Sequence, residues 1–544
     1  MMWLLDVLCG QKIRQATHRH LYALAGASID SSRQHAAAVL RVLAENASPS
    51  VLLGHTPWST PVRMPLEEIV RAYSLVTGGT GSGKTCFALT ILKAIIDSLP
   101  SNSSGFGILD PKGDLFHGSL FLLLQRLNSL NQTDPPAAKE LRRRIVIYDF
   151  GSRDPVSSYN ILARWPDTEA EFFASNRAEM LLDLLAGSDK LSLGGTAVLQ
   201  RLLLLLSEFN LPLTYIDEVL AEAPLLNQLI SESKNEAAKT YFARQFPAVP
   251  KATIAALRRR VEALFSSGSV RSALAGNTAP DFRRMQDEGK IVLVSCFGQS
   301  ISRGVRRVLQ GLVLSDIRQA VFARRSPDRP YLWLCDEAQN FFLTEKLRDN
   351  MSDLLTMSRS FGTFFMYLTQ NMSTAVQDAR MLKVLYTNIR FSFSMRGEPS
   401  DCAFLKSALP VTGRRMRPKA DPFAEQTFCT PSEERGLLLD EIANLSDRVG
   451  YLWLKTYASE AIPMKTADLA IPPARDIESA TASIKKDPTC GLRMSKKVYD
   501  RLVAERDRKW LGGTEGPENE MTTVFEQTYR RLRGKSEDQN ALAD

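Results

Sequence analysis

Three short stretches hold polar groups of the kind that handle phosphate. The segment GGTGSGKT, residues 78–85, fits G-x-x-x-x-G-K-[ST], with Gly78, Gly83, Lys84 and Thr85 at the fixed positions. Glycines so spaced let backbone N–H groups turn inward around phosphate oxygens, and a following helix adds positive potential at its N-terminus. On this reading Gly78, Gly79, Thr80, Gly81, Ser82, Gly83, Lys84, Thr85 and Cys86 line the nucleotide. Lys84 meets the β- and γ-phosphates, and the Thr85 hydroxyl holds Mg2+. The plain alternative is a glycine-rich turn with a surface lysine. The second stretch, YLWLCDEAQ, is an apolar run ending in Asp336 and Glu337. One acid there suits the magnesium shell and the next suits activation of water, which points to hydrolysis and not to binding alone. The alternative is a helix N-terminus, where acids are favoured anyway. The third, FGILDPKGDLF, delivers Asp110, Lys112 and Asp114 to a turn made by Pro111 and Gly113.

The elements that must position these groups follow from the apolar pattern. An apolar run precedes the glycine-rich segment and an amphipathic helix pattern follows it. Two further strand patterns come at FGILD and RIVIYDF, with a helical stretch between them. Strand, helix, strand, helix in this order predicts an α/β fold with a parallel sheet. The stretch SVLLGHTPWSTPVRMP, broken by Gly and Pro, predicts a small hairpin. Residues 1–45 read as an N-terminal helical region, and 46–160 as the first half of a phosphate-loop domain. Residues 161–285 lose the strand signal and read as an all-helical insertion. The second half, 286–470, resumes with KIVLVSCF, YLWLCDE, TFFMYLTQN, IRFSFSM and RVGYLWLK. From 471 to 544 the chain turns polar and reads as a charged C-terminal tail.

Composition excludes several classes. The 544 residues are 44% hydrophobic and 24% charged, as in ordinary globular proteins. Seven cysteines lie scattered, with no CxxC pair and no zinc spacing, and read as reduced thiols. No segment reaches the roughly 18–20 apolar residues of a membrane span, so the expectation is a cytoplasmic protein, or one peripheral to the inner membrane through partners. A net charge of +8 is compatible with a polyanion partner. A guanine-selecting NKxD is absent, which argues against a small GTPase.

The ordered set of segments resembles the TraG/TraD-type coupling proteins of type IV secretion and conjugation, within the FtsK–HerA superfamily of hexameric DNA pumps. The carriers are DPKGD soon after the phosphate-loop helix, the stretch leading through PVRMP to the phosphate loop, CDEAQNFF, and MSRSFGTFFMYLTQN. The likeness spans about residues 50–470. It implies a RecA-like P-loop motor domain with a mostly parallel central sheet and an all-helical insertion domain. It also implies ATP and Mg2+ as ligands, Gln370 as the sensor of the γ-phosphate, and Arg359 as a finger offered to a neighbouring subunit. The transmembrane start of membrane-bound relatives is not found here.

These readings converge on an ATP-hydrolysing DNA translocase or coupling ATPase acting as a hexameric ring. Asp110, with Lys112, stands at the end of a strand expected beside the phosphate-loop strand, where it would contact the nucleotide; a salt-bridged turn is the alternative. LRRRVEAL and TGRRMRPKA are candidate DNA-facing patches. Other readings are an adaptor that recruits protein substrates or a relaxase, and a motor subunit whose nuclease lies on another chain. A secretion channel is a further possible partner.

Overall fold

The first described element of the computed structural model is helix α1 (Gly26–Glu45), followed by a hairpin of β1 (Ser50–His55) and β2 (Pro61–Pro65). The structure describes residues 26–511 except 46–48, 100–103, 165–168, 186–191, 222, 377, 412, 414, 418–426 and 488. β3 (Ser74–Thr77) leads through the glycine-rich turn into α2 (Lys84–Asp97). β4 (Gly105–Asp110) leads into α3 (Asp114–Thr133), and β5 (Ile145–Asp149) precedes the short β6 (Val156–Ser157). From α4 (Ala170–Leu185) to the helix Phe282–Asp287, every described element is helical. Then follow β7 (Ile291–Ser295), α5 (Arg303–Phe322), β8 (Tyr331–Cys335), β9 (Thr363–Thr369), β10 (Phe391–Met395), β11 (Val449–Leu454) and β12 (Ile462–Thr466). The last elements are α6 (Ala474–Lys486), β13 (Arg493–Met494) and α7 (Lys496–Leu511).

The strands form an eleven-stranded sheet in the order β2-β1-β12-β11-β10-β3-β9-β8-β4-β7-β5. From β10 to β5 all neighbours are parallel. These strands are buried at every residue, as their near-continuous apolar sequences require of strands covered on both faces. The fold is therefore α/β with a mostly parallel central sheet. Register brings the strand ends level: Thr77 pairs with Thr369, Tyr367 with Cys335, and Cys335 with Leu109. The loops after β3, β9, β8 and β4 thus open on one edge.

One expectation needs correction. β4 does not neighbour β3, because β9 and β8 lie between them. The expected hairpin forms, and it joins the main sheet. β1 pairs with β12, and β11 joins β12 to β10, so an antiparallel extension continues the main sheet. β12 carries Pro463 and Lys465 in five residues, which breaks the apolar run that would have marked it as a strand.

Packing ties the layers together. The Phe87 ring on α2 lies 4.6 Å from Phe393 and 6.1 Å from Phe391 on β10. Gly107 is required on β4, since a Cβ there would stand 2.3 Å from the Trp333 ring on β8. The helical segment is joined to α5 by a buried group: Asp316 pairs with Arg177 of α4 and accepts from the Tyr159 hydroxyl at 2.6 Å. No described helix is long and apolar enough to cross a membrane.

The charged tail is the second correction. The chain forms two compact units, 1–496 and 497–544, so the first unit extends well past residue 471. α6 packs on α3 and buries Ile477, Thr481 and Ile484. Cys490 joins the main apolar core, and β13 pairs with β6. Only a few buried positions mark this face, and the surrounding charges outweigh them in any composition window. The second unit is described over 497–511 as helix α7; the rest of the expected tail, 512–544, lies outside the described residues, as do residues 1–25 of the expected N-terminal region.

Stopping the chain after residue 473 strips the isoleucines of α6 from α3. Each buried isoleucine contributes about 1.5–3 kcal/mol. The expected outcome is a markedly lower melting temperature or insoluble protein, whereas a chain ending at 496 unfolds cooperatively near the full-length temperature. Circular dichroism melts of the two truncations check this.

Candidate nucleotide site

The phosphate-loop sequence folds as its glycines require. Gly81 and Gly83 take φ of 77° and 106°, and Gly78 has φ 155°. The first two values fall in the left-handed region that side chains disfavour. Gly79 N–H donates to the Arg396 carbonyl at 2.6 Å, pinning the loop to the end of β10. The Lys84 ammonium folds back over the loop and donates to the carbonyls of Gly78 at 2.6 Å and Gly79 at 2.9 Å. Burial lowers its pKa to about 8; the Lys112 charge presses the same way, while Asp336 and Glu337 pull it back. The Ser82 hydroxyl is buried inside the loop without a partner. Thr85 and Cys86 follow in the first turn of α2, both half-buried.

Asp336 and Glu337 stand at the end of β8. Asp336 is buried, and its N–H donates to the Leu109 carbonyl at 3.0 Å. Burial raises its carboxyl pKa to about 7, with the nearby negative charges of Asp110 and Glu337 adding to the rise. Glu337 sits at φ 51°, an uncommon conformation for a residue with a side chain. Its carboxylate is held from three sides. Gln370 Nε2 donates to Oε1 at 2.5 Å, Gln339 Nε2 donates to Oε2, and the Lys112 ammonium pairs with Oε1. Gln370 in turn accepts from the Thr80 hydroxyl at 2.9 Å. One amide thus bridges the phosphate loop to the acid after β8. The fold allows this because β9 lies between β3 and β8.

The structure therefore brings together Lys84, Thr80, Asp336, Glu337, Gln370 and Lys112. Asp110 has a different place. It is fully buried, and its carboxylate accepts from the backbone N–H groups of Lys112 at 2.7 Å, Gly113 at 2.9 Å and Phe116 at 2.9 Å. Burial still raises its pKa despite these three bonds. It shapes the turn and is not free to contact a nucleotide, which corrects the sequence expectation. Arg359 is exposed in the turn before β9, while Gln370 follows the far end of that strand. Seven residues of strand separate the two ends, roughly 23 Å at about 3.3 Å per residue. Arg359 does not reach the site of its own chain.

Part of the proposed basic patches is ion-paired: Arg415 pairs with Glu441, Arg417 with Glu433 at 2.8 Å, and Arg258 with Asp217 at 2.6 Å, while Arg259 donates to the Ala255 carbonyl; Arg414 and Lys419 lie outside the described residues.

Three supporting side chains escaped the sequence reading. Gln310 on α5 is buried and donates to the Asp336 carbonyl at 3.0 Å, while accepting from Asn340 at 3.0 Å. Its only signal was an amide on an otherwise apolar helix face. Gln339 accepts from the Thr369 hydroxyl at 2.9 Å while holding Glu337. Arg448 N–H donates to the Ser82 carbonyl at 2.8 Å, and its guanidinium bonds Thr466, Ala467 and Asp468, clamping the phosphate loop to the antiparallel extension. Nothing local marks Arg448, because its partners come from a different strand.

No protein-family model matches the chain, and no curated protein sequence matches it. Solved structures do. An unbound form of the bacterial conjugative coupling protein TrwBdeltaN70 has 16% identity and a TM-score of 0.48, covering 80% of this chain and 93% of that one. The plasmid coupling protein TrwB in complex with ADP and Mg2+ has 16% identity and a TM-score of 0.48, with 80% and 94% covered. VirB4 of Thermoanaerobacter pseudethanolicus has 12% identity and a TM-score of 0.48, with 78% and 98% covered.

Asp110→Ala leaves three N–H groups of the turn without their acceptor, at about 1–3 kcal/mol each where buried. Its expected effect is a clear loss of thermal stability measured without nucleotide. A melting temperature equal to wild type would return Asp110 to the role of a simple ligand.

Proposed function

We propose that the chain is a Mg2+-dependent ATP hydrolase that works as the motor of a DNA-translocating or coupling ATPase. The observation that carries the hydrolase reading is Gln370, bonded at once to Thr80 of the phosphate loop and to Glu337 beyond β8. A loop that holds phosphates and an acid that handles water are thereby joined through one side chain.

On this reading the loop N–H groups and Lys84 hold the β- and γ-phosphates. Thr85 and Asp336 would hold Mg2+, and the donor types fit: a hydroxyl in the first turn of α2 and a buried carboxylate with other acids nearby. A bound ion would supply neutralisation of the charge on the terminal phosphates. Glu337 takes the proton of the attacking water as the oxygen bonds to the γ-phosphorus and the bond to the β-phosphate oxygen breaks. Gln370 steers Glu337 and registers the loop through Thr80.

The motor reading is supported by the resemblance in segment order and by the net charge of +8. Contacts to DNA are assigned to backbone phosphates and not to the paired arginines 415 and 417. A ring is supported by the position of Arg359, exposed and far from its own chain's loop.

ATP turnover, measured with and without DNA at low and moderate salt, tests the proposal. Lys84→Ala is expected to abolish turnover and weaken nucleotide binding. Glu337→Gln is expected to bind ATP and retain it. DNA should stimulate the wild-type rate, and the stimulation should fade steeply with salt because counterion release drives backbone binding. Near-normal turnover by both variants would overturn the site assignment; turnover indifferent to DNA would leave the hydrolase and remove the translocase.

Arg359→Ala subunits keep a sound phosphate loop, and Lys84→Ala subunits keep a sound arginine. Each alone is expected to be nearly inactive, since such fingers contribute about a thousandfold or more in rate. Mixed under conditions of subunit exchange, they are expected to regain part of the activity. Full activity of Arg359→Ala alone, or no recovery on demonstrated exchange, rejects a role across subunits.

A further inference from the structure

The DPKGD turn contributes a cation that the hydrolase reading leaves without a task. Lys112 pairs with the Oε1 atom of Glu337, and among the described residues it is the cation bonded to that carboxylate. The backbone that presents it is set independently, since Asp110 takes the N–H groups of Lys112, Gly113 and Phe116. Glu337 is also held without it, by Gln339 and Gln370. The Lys112 side chain is 39% exposed, so its pair with Glu337 adds little stability. Neither the turn nor the acid needs this ammonium for its shape.

Its surroundings indicate what it does. Lys112 lies near enough to Lys84 for their like charges to press on each other, and it also feels Asp336 and Asp110. Burial works against its charge, but the bond to Glu337 and the nearby acids outweigh this and raise its pKa. Through Glu337 and Gln370, Lys112 of the turn after β4 is bonded to Thr80 of the loop that carries Lys84. A terminal phosphate has more negative charge than Glu337 and sits between two ammonium groups more favourably than either cation sits beside the other. Glu337 is bonded at once by Lys112, Gln370 and Gln339.

We infer that Lys112 reads the terminal phosphate: it exchanges Glu337 for the γ-phosphate of bound ATP, and so frees the carboxylate only when a triphosphate is in place. This rests on the reading of the site as ATP-hydrolysing. The four-carbon stem of a lysine permits the exchange while the backbone of the turn stays fixed by Asp110. No covalent step is added; one ion pair replaces another. Lys112 would then be a residue that discriminates ATP from ADP as well as a control on Glu337.

The test measures equilibrium binding of ADP and of a non-hydrolysable ATP analogue, with Mg2+, to the full-length chain and to Lys112→Met, Lys112→Arg and Lys84→Ala. Lys112→Met keeps the stem and removes the charge. Its expected result is ADP affinity within about twofold of wild type and analogue affinity down about tenfold or more, the worth of one charge-assisted contact. Lys112→Arg should recover part of the preference. An unchanged ratio of analogue to ADP affinity in Lys112→Met overturns the inference, and so does an equal loss for both nucleotides. If the folded wild-type chain binds neither nucleotide, or if Lys84→Ala binds them as wild type does, it is the hydrolase reading that fails. Thermal melts of each variant confirm that the comparison is between folded proteins.

Discussion

The site depends on parallel pairing in register. Thr77, Thr369 and Cys335 end their strands, and Leu109 stands one residue before the end of β4, at nearly the same level because each strand is fixed by backbone hydrogen bonds to the next. A one-residue slip in any pair would reverse which side chains face each layer, and burial on both faces makes such a slip costly. The order β3-β9-β8-β4 then decides which loops are neighbours. Gln370 reaches both Thr80 and Glu337 only because its strand lies between theirs.

Charge is the second organising influence. Asp110, Asp336 and Glu337 gather at one edge of the sheet, and burial raises the pKa of the first two. Asp110 is satisfied by backbone N–H groups. Asp336 and Glu337 have Lys84 and Lys112 among their charged neighbours. Asp110 is held by its own turn, whereas Lys84 bonds the loop carbonyls and Lys112 bonds Glu337.

Longer connections lead away from this edge. Gln310 links the Asp336 backbone to α5, and six residues further along the same helix Asp316 is paired with Arg177 of the helical segment. Arg448 links the phosphate loop to the antiparallel extension. On the other side α3, which starts at the DPKGD turn, carries α6 on its surface.

The sequence by itself determined the local chemistry: the glycines of residues 78–83, the lysine and threonine after them, and the acids closing YLWLC. Each depends on neighbours in the chain, since a left-handed glycine, a helix N-terminus and a strand end are local matters. It also indicated the α/β class and the run of helices after β6, because buried parallel strands and amphipathic helices differ in period. Tertiary structure decided which strands are adjacent, and so displaced β4 from β3 and joined the β1–β2 hairpin to the main sheet. It assigned Asp110 to its own turn, paired Arg415 and Arg417 with glutamates, and brought in Gln310 and Arg448 from remote segments. It drew α6 into the core on a few apolar side chains that composition could not distinguish from a solvated tail. These outcomes rest on contacts between residues far apart in the chain, whose energies depend on what lies opposite, and a single sequence does not specify that without the fold.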